Sequence, residues 1–88
     1  MPKLTKQAQA SNHIRELLIQ RGLDIPSRQM TLEDNQHWTV LQYGEREIGI
    51  DSASGVWVRA SIGGEWHCLS MPCTVSGALK AIEFLFKE

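Results

Sequence analysis

The sequence lacks the features of a membrane-spanning or secreted chain. Its apolar runs are short, as in Leu17-Leu18-Ile19, whereas a transmembrane helix needs about 20 apolar residues in succession. Polar residues follow the positively charged start, where a signal peptide would have an apolar stretch. The sequence contains two cysteines, and cysteines of cytoplasmic proteins are free thiols by default. We therefore expect a cytoplasmic protein, with no membrane contact, in which Cys68 and Cys73 are free thiols.

Internal repeats, low-complexity tracts and linkers are also missing from the sequence. The chain is therefore expected to form one domain over residues 1–88. At this length folding buries roughly 60% of the surface of the unfolded chain, which leaves room for one modest core. An enclosed active site built from many parts is not expected, so the length favours binding over catalysis.

The net charge is small, at −1, but the charges are unevenly divided. Residues 1–28 carry five positive and two negative charges, whereas residues 29–88 carry four positive and eight negative ones. This distribution falls short of the basic surface of a dedicated nucleic-acid binder. The positive first segment is a weak indication of an acidic partner, and a solvated helix face is the simpler interpretation.

The first segment with helical periodicity covers Thr5–Arg21, which contains no proline or glycine. Gly22 suits the left-handed conformation that ends a helix, and Leu23 can then fold back onto Leu18. The first turns of this helix are polar, so residues 1–10 are predicted to fray.

The second helical segment follows Thr74, a favourable N-cap, and runs to the end of the sequence. Its apolar residues recur at helical spacing and predict one stripe that packs on the rest of the domain. The members of this stripe are Val75, Ala78, Leu79, Ile82, Leu85 and Phe86.

Between the helices the periodicity changes to two, with turn residues at regular intervals. This pattern predicts an antiparallel meander of five short strands. The predicted strands cover residues 28–33, 36–43, 46–51, 56–62 and 65–70. The fold class is therefore α+β: an N-terminal helix, a five-stranded antiparallel meander sheet and a C-terminal helix, with both helices on one face of the sheet.

Turn lengths predict which side of the sheet each residue faces, because directly opposed residues point to the same side. Two-residue turns at Gly44-Glu45, Asp34-Asn35 and Gly63-Gly64 define the predicted register. The second of these places Met30 opposite Thr39, and the third places Val58 opposite Leu69. The side toward the helices then collects Met30, Leu32, Leu41, Tyr43, Ile48, Ile50, Val56, Val58, Ala60, Ile62 and Leu69.

The opposite side of the predicted sheet contains all three tryptophans. Its members are Gln29, Thr31, Trp38, Val40, Gln42, Glu47, Gly49, Trp57, Arg59, Ser61, Trp66 and Cys68. Glu47 and Arg59 form a cross-strand pair, and Gly49 opposite Trp57 leaves space for the indole to lie across the strand. An apolar patch rimmed by polar groups is typical of a contact surface.

Two simpler interpretations of this side stay open. Cross-strand aromatic pairs stabilise a sheet by roughly 0.2–1 kcal/mol each, and the first helix could cover the patch. We nevertheless predict a non-enzymatic binding module that contacts a protein partner or a second copy of itself, as an accessory or regulatory protein would. Its predicted site comprises Trp38, Trp57, Arg59, Trp66 and Glu47.

A nucleic-acid binder is the first alternative, since aromatic and basic residues on an open sheet are typical of single-strand binding. Trp38, Trp57, Trp66 and Arg59 would contact bases, and Lys3, Lys6 and Arg15 would contact phosphates. The acidic residues of the sheet half argue against it.

A small thiol or hydrolytic enzyme is the third alternative, acting through Cys73 or His67. Cys73 lies close to the start of the second helix, where the helix dipole would lower the pKa of a thiol. His13 is expected to face solvent, and His37 to lie near a strand end on the helix side.

A metal site is not expected. The spacing of the histidines and cysteines differs from that of a zinc module. His67 and Cys68 are neighbours in a strand, so they point to opposite faces. No cofactor is expected either.

Overall fold

A computed structural model of the chain describes residues 5–32, 35–61 and 63–87, and within them it has the predicted α+β architecture. The elements follow one another as helix, five strands and helix. They are α1 (Lys6–Gln20), β1 (Arg28–Thr31), β2 (His37–Tyr43), β3 (Arg46–Ile50), β4 (Val56–Arg59), β5 (His67–Ser70) and α2 (Val75–Phe86). The sheet is an antiparallel meander with the strand order β1-β2-β3-β4-β5.

Local sequence signals set the ends of α1. The Thr5 hydroxyl accepts a hydrogen bond from the backbone N–H of Ala8. At the other end Gly22 has φ +83°, and the N–H of Leu23 donates to the carbonyl of Leu18 over 3.0 Å. This is the predicted C-terminal cap, which confirms the end of the helix. The prediction of fraying concerns residues 1–10, of which 1–4 lie outside the described part.

The predicted N-cap of α2 is confirmed, because the Thr74 hydroxyl accepts from the N–H of Gly77 over 3.0 Å. The apolar stripe of α2 is narrower than predicted. A Cβ on Gly77 would lie 2.4 Å from the Cβ of Ser70, so the helix approaches β5 closely on its small-residue side. This approach buries Ala78, Ala81, Ile82 and Leu85. It leaves Val75, Leu79 and Phe86 exposed by 66%, 37% and 39%.

The hydrophobic core lies between the sheet and the two helices. Its buried members are Ala10, Ile14, Leu18, Ile25, Leu41, Ile48, Ile50, Val56, Val58, Ala78, Ala81, Ile82 and Leu85. Two residues predicted for this core, Tyr43 and Ala60, are exposed instead, since both lie at strand ends. Ile62, also predicted for the core, lies outside the described residues. The α1 helix is fastened to the sheet by Gln7, whose Nε2 donates to the carbonyls of His37 and Ile50.

The register of the three central strands is as predicted. Tyr43 lies opposite Arg46 across the Gly44-Glu45 turn, and Ile48 lies opposite Leu41 on one side and Val58 on the other. Because this register runs through β3, it places Trp38 and Trp57 on the same side of the sheet, away from the helices.

The predicted register of β1 is wrong by one residue. Met30 lies opposite Trp38, not Thr39. Leu32 donates its N–H to the carbonyl of Gln36, so the connection has three residues instead of two, and Asn35 has φ +63° as such loops require. The other two residues of the turn, 33 and 34, lie outside the described part.

This one-residue difference reverses the faces of β1. Gln29 and Thr31, which were predicted on the side of the tryptophans, lie on the helix side. Arg28 and Met30 lie on the tryptophan side, and Met30 is therefore not part of the core.

The predicted pairing of β5 is also wrong. His67 lies opposite Val58, where Leu69 was predicted, and a bulge interrupts the ladder between Val56 and Trp57. The cause is the β4–β5 connection, because β4 ends at Arg59 and the turn closes from Ser61 to Gly64 instead of around the two glycines. Cys68 lies opposite Trp57, and it therefore remains on the side of the tryptophans, as predicted.

Candidate functional site

The side of the sheet away from the helices carries a packed aromatic cluster. We call this side the tryptophan face; it comprises Arg28, Met30, Trp38, Val40, Glu47, Gly49, Trp57, Arg59, Trp66 and Cys68. The ring centre of Trp38 lies 5.4 Å from that of Trp57 and 5.3 Å from that of Trp66. These are favourable distances for tilted and edge-to-face aromatic pairs. Trp38 is only 5% exposed, so the other two rings form the outer layer.

Gly49 makes this packing possible. A Cβ at this position would lie 2.8 Å from Cε3 of Trp38 and 3.0 Å from Cζ3 of Trp66. The two rings therefore occupy the space that a side chain on β3 would fill. This confirms that Gly49 leaves room for an indole, although the indoles above it are those of Trp38 and Trp66 rather than that of Trp57.

A buried carboxylate lies at the edge of the aromatic cluster. Glu47 is fully buried; its Oε1 accepts from Nε of Arg59 over 2.5 Å, and its Oε2 pairs with Arg28. The predicted Glu47–Arg59 pair is thus confirmed. The guanidinium of Arg59 also lies 4.5 Å from the ring centre of Trp66, within the range of a cation–π contact. The charges of these groups consequently hold Trp66 in place.

A second buried carboxylate fixes the remaining tryptophan. Oδ2 of Asp51 accepts from Nε1 of Trp57 over 2.8 Å. Oδ1 accepts from the backbone N–H groups of Ala53 and Gly55, at 2.9 and 2.7 Å. Sequence reasoning treated Asp51 only as the start of a turn. Its position four residues before a glycine is typical of an Asp that organises its own loop, but nothing in the sequence links it to Trp57.

The structure brings all five predicted site residues together on one face. Trp38 and Glu47 are buried, so they support the surface and do not contact a partner in this conformation. The accessible part consists of the half-buried Trp57 and Trp66, with exposed Arg28 and Cys68 beside them. Sequence reasoning missed Arg28 because of the register of β1. The first helix does not cover this face, since α1 packs in the core on the other side.

His37 and His67 lie at the starts of β2 and β5 on the helix side of the sheet, as predicted, whereas His13 differs from the prediction. His37 and His67 are exposed, and His37 Nδ1 lies 3.2 Å from the Thr31 hydroxyl. His13 does not simply face solvent: its Nε2 is buried, without a hydrogen-bond partner in the described part of the chain. It lines a groove together with Cys73. No single-sequence signal places α1 against the start of α2, so this neighbourhood could not be predicted.

The prediction that the helix dipole lowers the pKa of Cys73 is not supported. Burial raises the pKa of the Cys73 thiol, because desolvation disfavours the thiolate. Both cysteines are free, as predicted. Among the described residues, no group of three histidine, cysteine or acidic side chains is arranged to hold a metal ion.

Alkylation tests the reactivity of Cys73 directly. Because the thiolate is the reactive form, iodoacetamide at pH 7.5 is expected to modify exposed Cys68 before Cys73, and the rate at Cys73 should still be rising above pH 9. Mass spectrometry of the peptides after timed quenching measures both rates, with Cys68→Ser and Cys73→Ser as references. Rapid modification of Cys73 near neutral pH would contradict the assignment.

Compared with models of known protein families, with curated proteins and with solved structures, the chain gives no match. Among the described residues, no helix combines the length and apolar character needed to cross a membrane. The fold is established as α+β, and the site rests on the geometry of the tryptophan face.

Proposed function

We propose that this chain is a small, non-enzymatic binding module of the cytoplasm that contacts another protein, or a second copy of itself, through the tryptophan face. The observation that carries the proposal is the fixed, half-exposed aromatic surface formed by Trp57 and Trp66. Buried carboxylates immobilise both rings, Trp57 through Asp51 and Trp66 through Arg59 and Glu47.

A rigid surface of this composition is well suited to protein contacts. Tryptophan and arginine dominate the residues that contribute most to protein–protein affinity. Side chains that are already immobilised lose less entropy on binding. Here Trp57, Trp66 and Arg28 offer apolar area and hydrogen-bond donors without a rearrangement. The face supplies the central contacts of an interface of modest size.

The charges of the face favour a protein over a nucleic acid. Arg28 and Arg59 both pair with Glu47, whose single carboxylate cancels one of their two positive charges. Phosphate binding depends on several uncompensated lysine and arginine side chains, and the described residues of this face have an excess of only one positive charge. Stacking of single-stranded bases on Trp57 remains the alternative that a direct measurement must separate.

Photo-crosslinking within cells tests the proposal. A benzophenone amino acid at position 68, an exposed site opposite Trp57, is expected to form a crosslink to a defined protein or to a second copy of the chain. The same group at position 21, exposed at the end of α1 and outside the tryptophan face, is the control and should give no such product. The crosslinked species are identified by mass spectrometry.

Two further results decide between the alternatives. Self-association is identified if light scattering gives twice the mass of the chain for the wild type and the mass of a single chain for Cys68→Arg. Quenching of tryptophan fluorescence by an oligonucleotide, weakening steeply with salt, would support nucleic-acid binding instead. If position 68 yields no more crosslinks than position 21, the tryptophan face is not the contact surface.

A further inference from the structure

A second candidate surface lies where the two helices begin, separate from the tryptophan face. A groove of about 450 Å³ runs between their first turns. Its apolar part includes Ala10 of α1, Pro72 and Val75, and its polar part includes Lys6 and His13. The groove is open to solvent, since Val75 is 66% exposed.

Exposed apolar side chains continue the groove along α2. Val75, which lines the groove, and Leu79, four residues further along α2, are 66% and 37% exposed. Within α2, a spacing of four places Val75 and Leu79 on the same side of the helix. Large apolar side chains this exposed on one strip of surface are typical of an interaction site.

The electrostatics of the groove favour a negatively charged occupant. None of the described residues that line it is acidic, and Lys6 contributes a positive charge. Neither helix has an acidic residue in its first turn, so both positive helix-dipole ends at this groove are uncompensated by local carboxylates. The groove thus combines apolar surface from Ala10, Pro72 and Val75 with positive charge from Lys6 and the two helix starts.

We propose that this groove binds an acidic amphipathic helix of a partner protein. Apolar side chains on one side of that helix contact Val75 and Leu79, and its carboxylates lie beside Lys6 and the helix starts. An open groove that borders the exposed Val75 and Leu79 suits this mode of recognition better than it suits a small molecule, which requires a more enclosed cavity. The inference does not depend on the tryptophan face.

A pair of synthetic peptides tests the proposal on the intact chain. Both have about 18 residues, enough for an isolated helix, and the same leucines at helical spacing. One carries glutamates on its polar side and the other lysines. Titration followed by amide NMR shifts is expected to move the signals of Lys6, His13, Val75 and Leu79 with the acidic peptide only, and to leave the Trp57 indole signal unchanged.

Two matched variants locate the contact. Val75→Asp and Ser76→Asp add the same charge to the first turn of α2, but Val75 lies in the groove and Ser76 does not. Val75→Asp should weaken binding of the acidic peptide by at least about tenfold, whereas Ser76→Asp should change it less than twofold. Lys6→Glu should reverse the preference between the peptides. Equal binding of both peptides, shifts confined to other surfaces, or no shift with either peptide would overturn the proposal.

Discussion

The Glu47→Gln variant is expected to lose about 3 kcal/mol of the free energy of unfolding, because removing one partner of a buried ion pair leaves the other charge uncompensated. Glu47 is fully buried and Arg59 is 11% exposed, so water cannot replace the lost carboxylate around Arg59. Arg28 is 45% exposed and can turn to solvent, which keeps the loss from being larger. Denaturant unfolding monitored by circular dichroism measures the change.

The matched control is Glu45→Gln, the same chemical change at an exposed residue of the β2–β3 turn. It should alter the free energy of unfolding by less than about 0.5 kcal/mol. A second comparison replaces Glu47, Arg28 and Arg59 together by apolar residues of similar size. That variant should recover much of the lost stability, since no buried charge remains unpaired. If Glu47→Gln unfolds at the same denaturant concentration as Glu45→Gln, Glu47 does not hold the cluster together.

Loss of Glu47 should also affect the surface proposed for binding. Arg59 lies against Trp66 only while Glu47 holds its Nε. Without that bond the ring of Trp66 is less restrained, so binding through the tryptophan face should pay a larger entropy cost. Stability and recognition are therefore linked through one buried carboxylate.

The fold was predictable where local signals were sufficient. Gly22 marks the end of α1 by its backbone preference, and Thr74 marks the start of α2 by its side-chain cap. The Gly44-Glu45 turn sets the register of β2 and β3 without help from the rest of the chain. Trp38 and Trp57 depend only on this central register. Their shared face was therefore predicted correctly from the sequence.

The faces of β1 were predicted wrongly because one extra residue in a loop reverses the side of the sheet to which each residue of a strand points. The connection between β1 and β2 has three residues instead of the predicted two. Arg28 therefore lies on the tryptophan face, where it was not predicted. The bond from Asp51 to Trp57 and the proximity of His13 to Cys73 depend on tertiary packing. Neither follows a periodic pattern, so neither is visible in a single sequence.

The width of the α2 stripe illustrates the same limit. Val75, Leu79 and Phe86 have the spacing of core residues, but α2 packs against β5 through its Gly77 side and leaves these three exposed. Hydrophobic periodicity shows that a helix has an apolar side. It does not show how much of that side a neighbouring strand covers.

Gly49→Ala is expected to destabilise the protein by about 2 kcal/mol through overpacking. Alanine inside a strand is ordinarily more stabilising than glycine by roughly 0.5–1 kcal/mol. A loss of stability in Gly49→Ala would therefore indicate a steric clash. The new Cβ would lie 2.8 Å from Cε3 of Trp38, on a rigid ring that is itself held between Trp57 and Trp66. Thermal and denaturant unfolding of Gly49→Ala against wild type measures the effect.

A double-mutant cycle shows whether the clash is the cause. Trp38→Phe removes the benzo ring of the indole, which includes both atoms of Trp38 that approach position 49 most closely. In that background Gly49→Ala should cost at least about 1 kcal/mol less than in the wild type, because coupled neighbours are not additive. The near-ultraviolet circular dichroism of Gly49→Ala should also change, since the indoles can no longer pack as they do over glycine. A Gly49→Ala variant as stable as the wild type, with the same aromatic spectrum, would mean that the tryptophans do not pack over this glycine, and the fixed aromatic surface proposed for binding would lose its support.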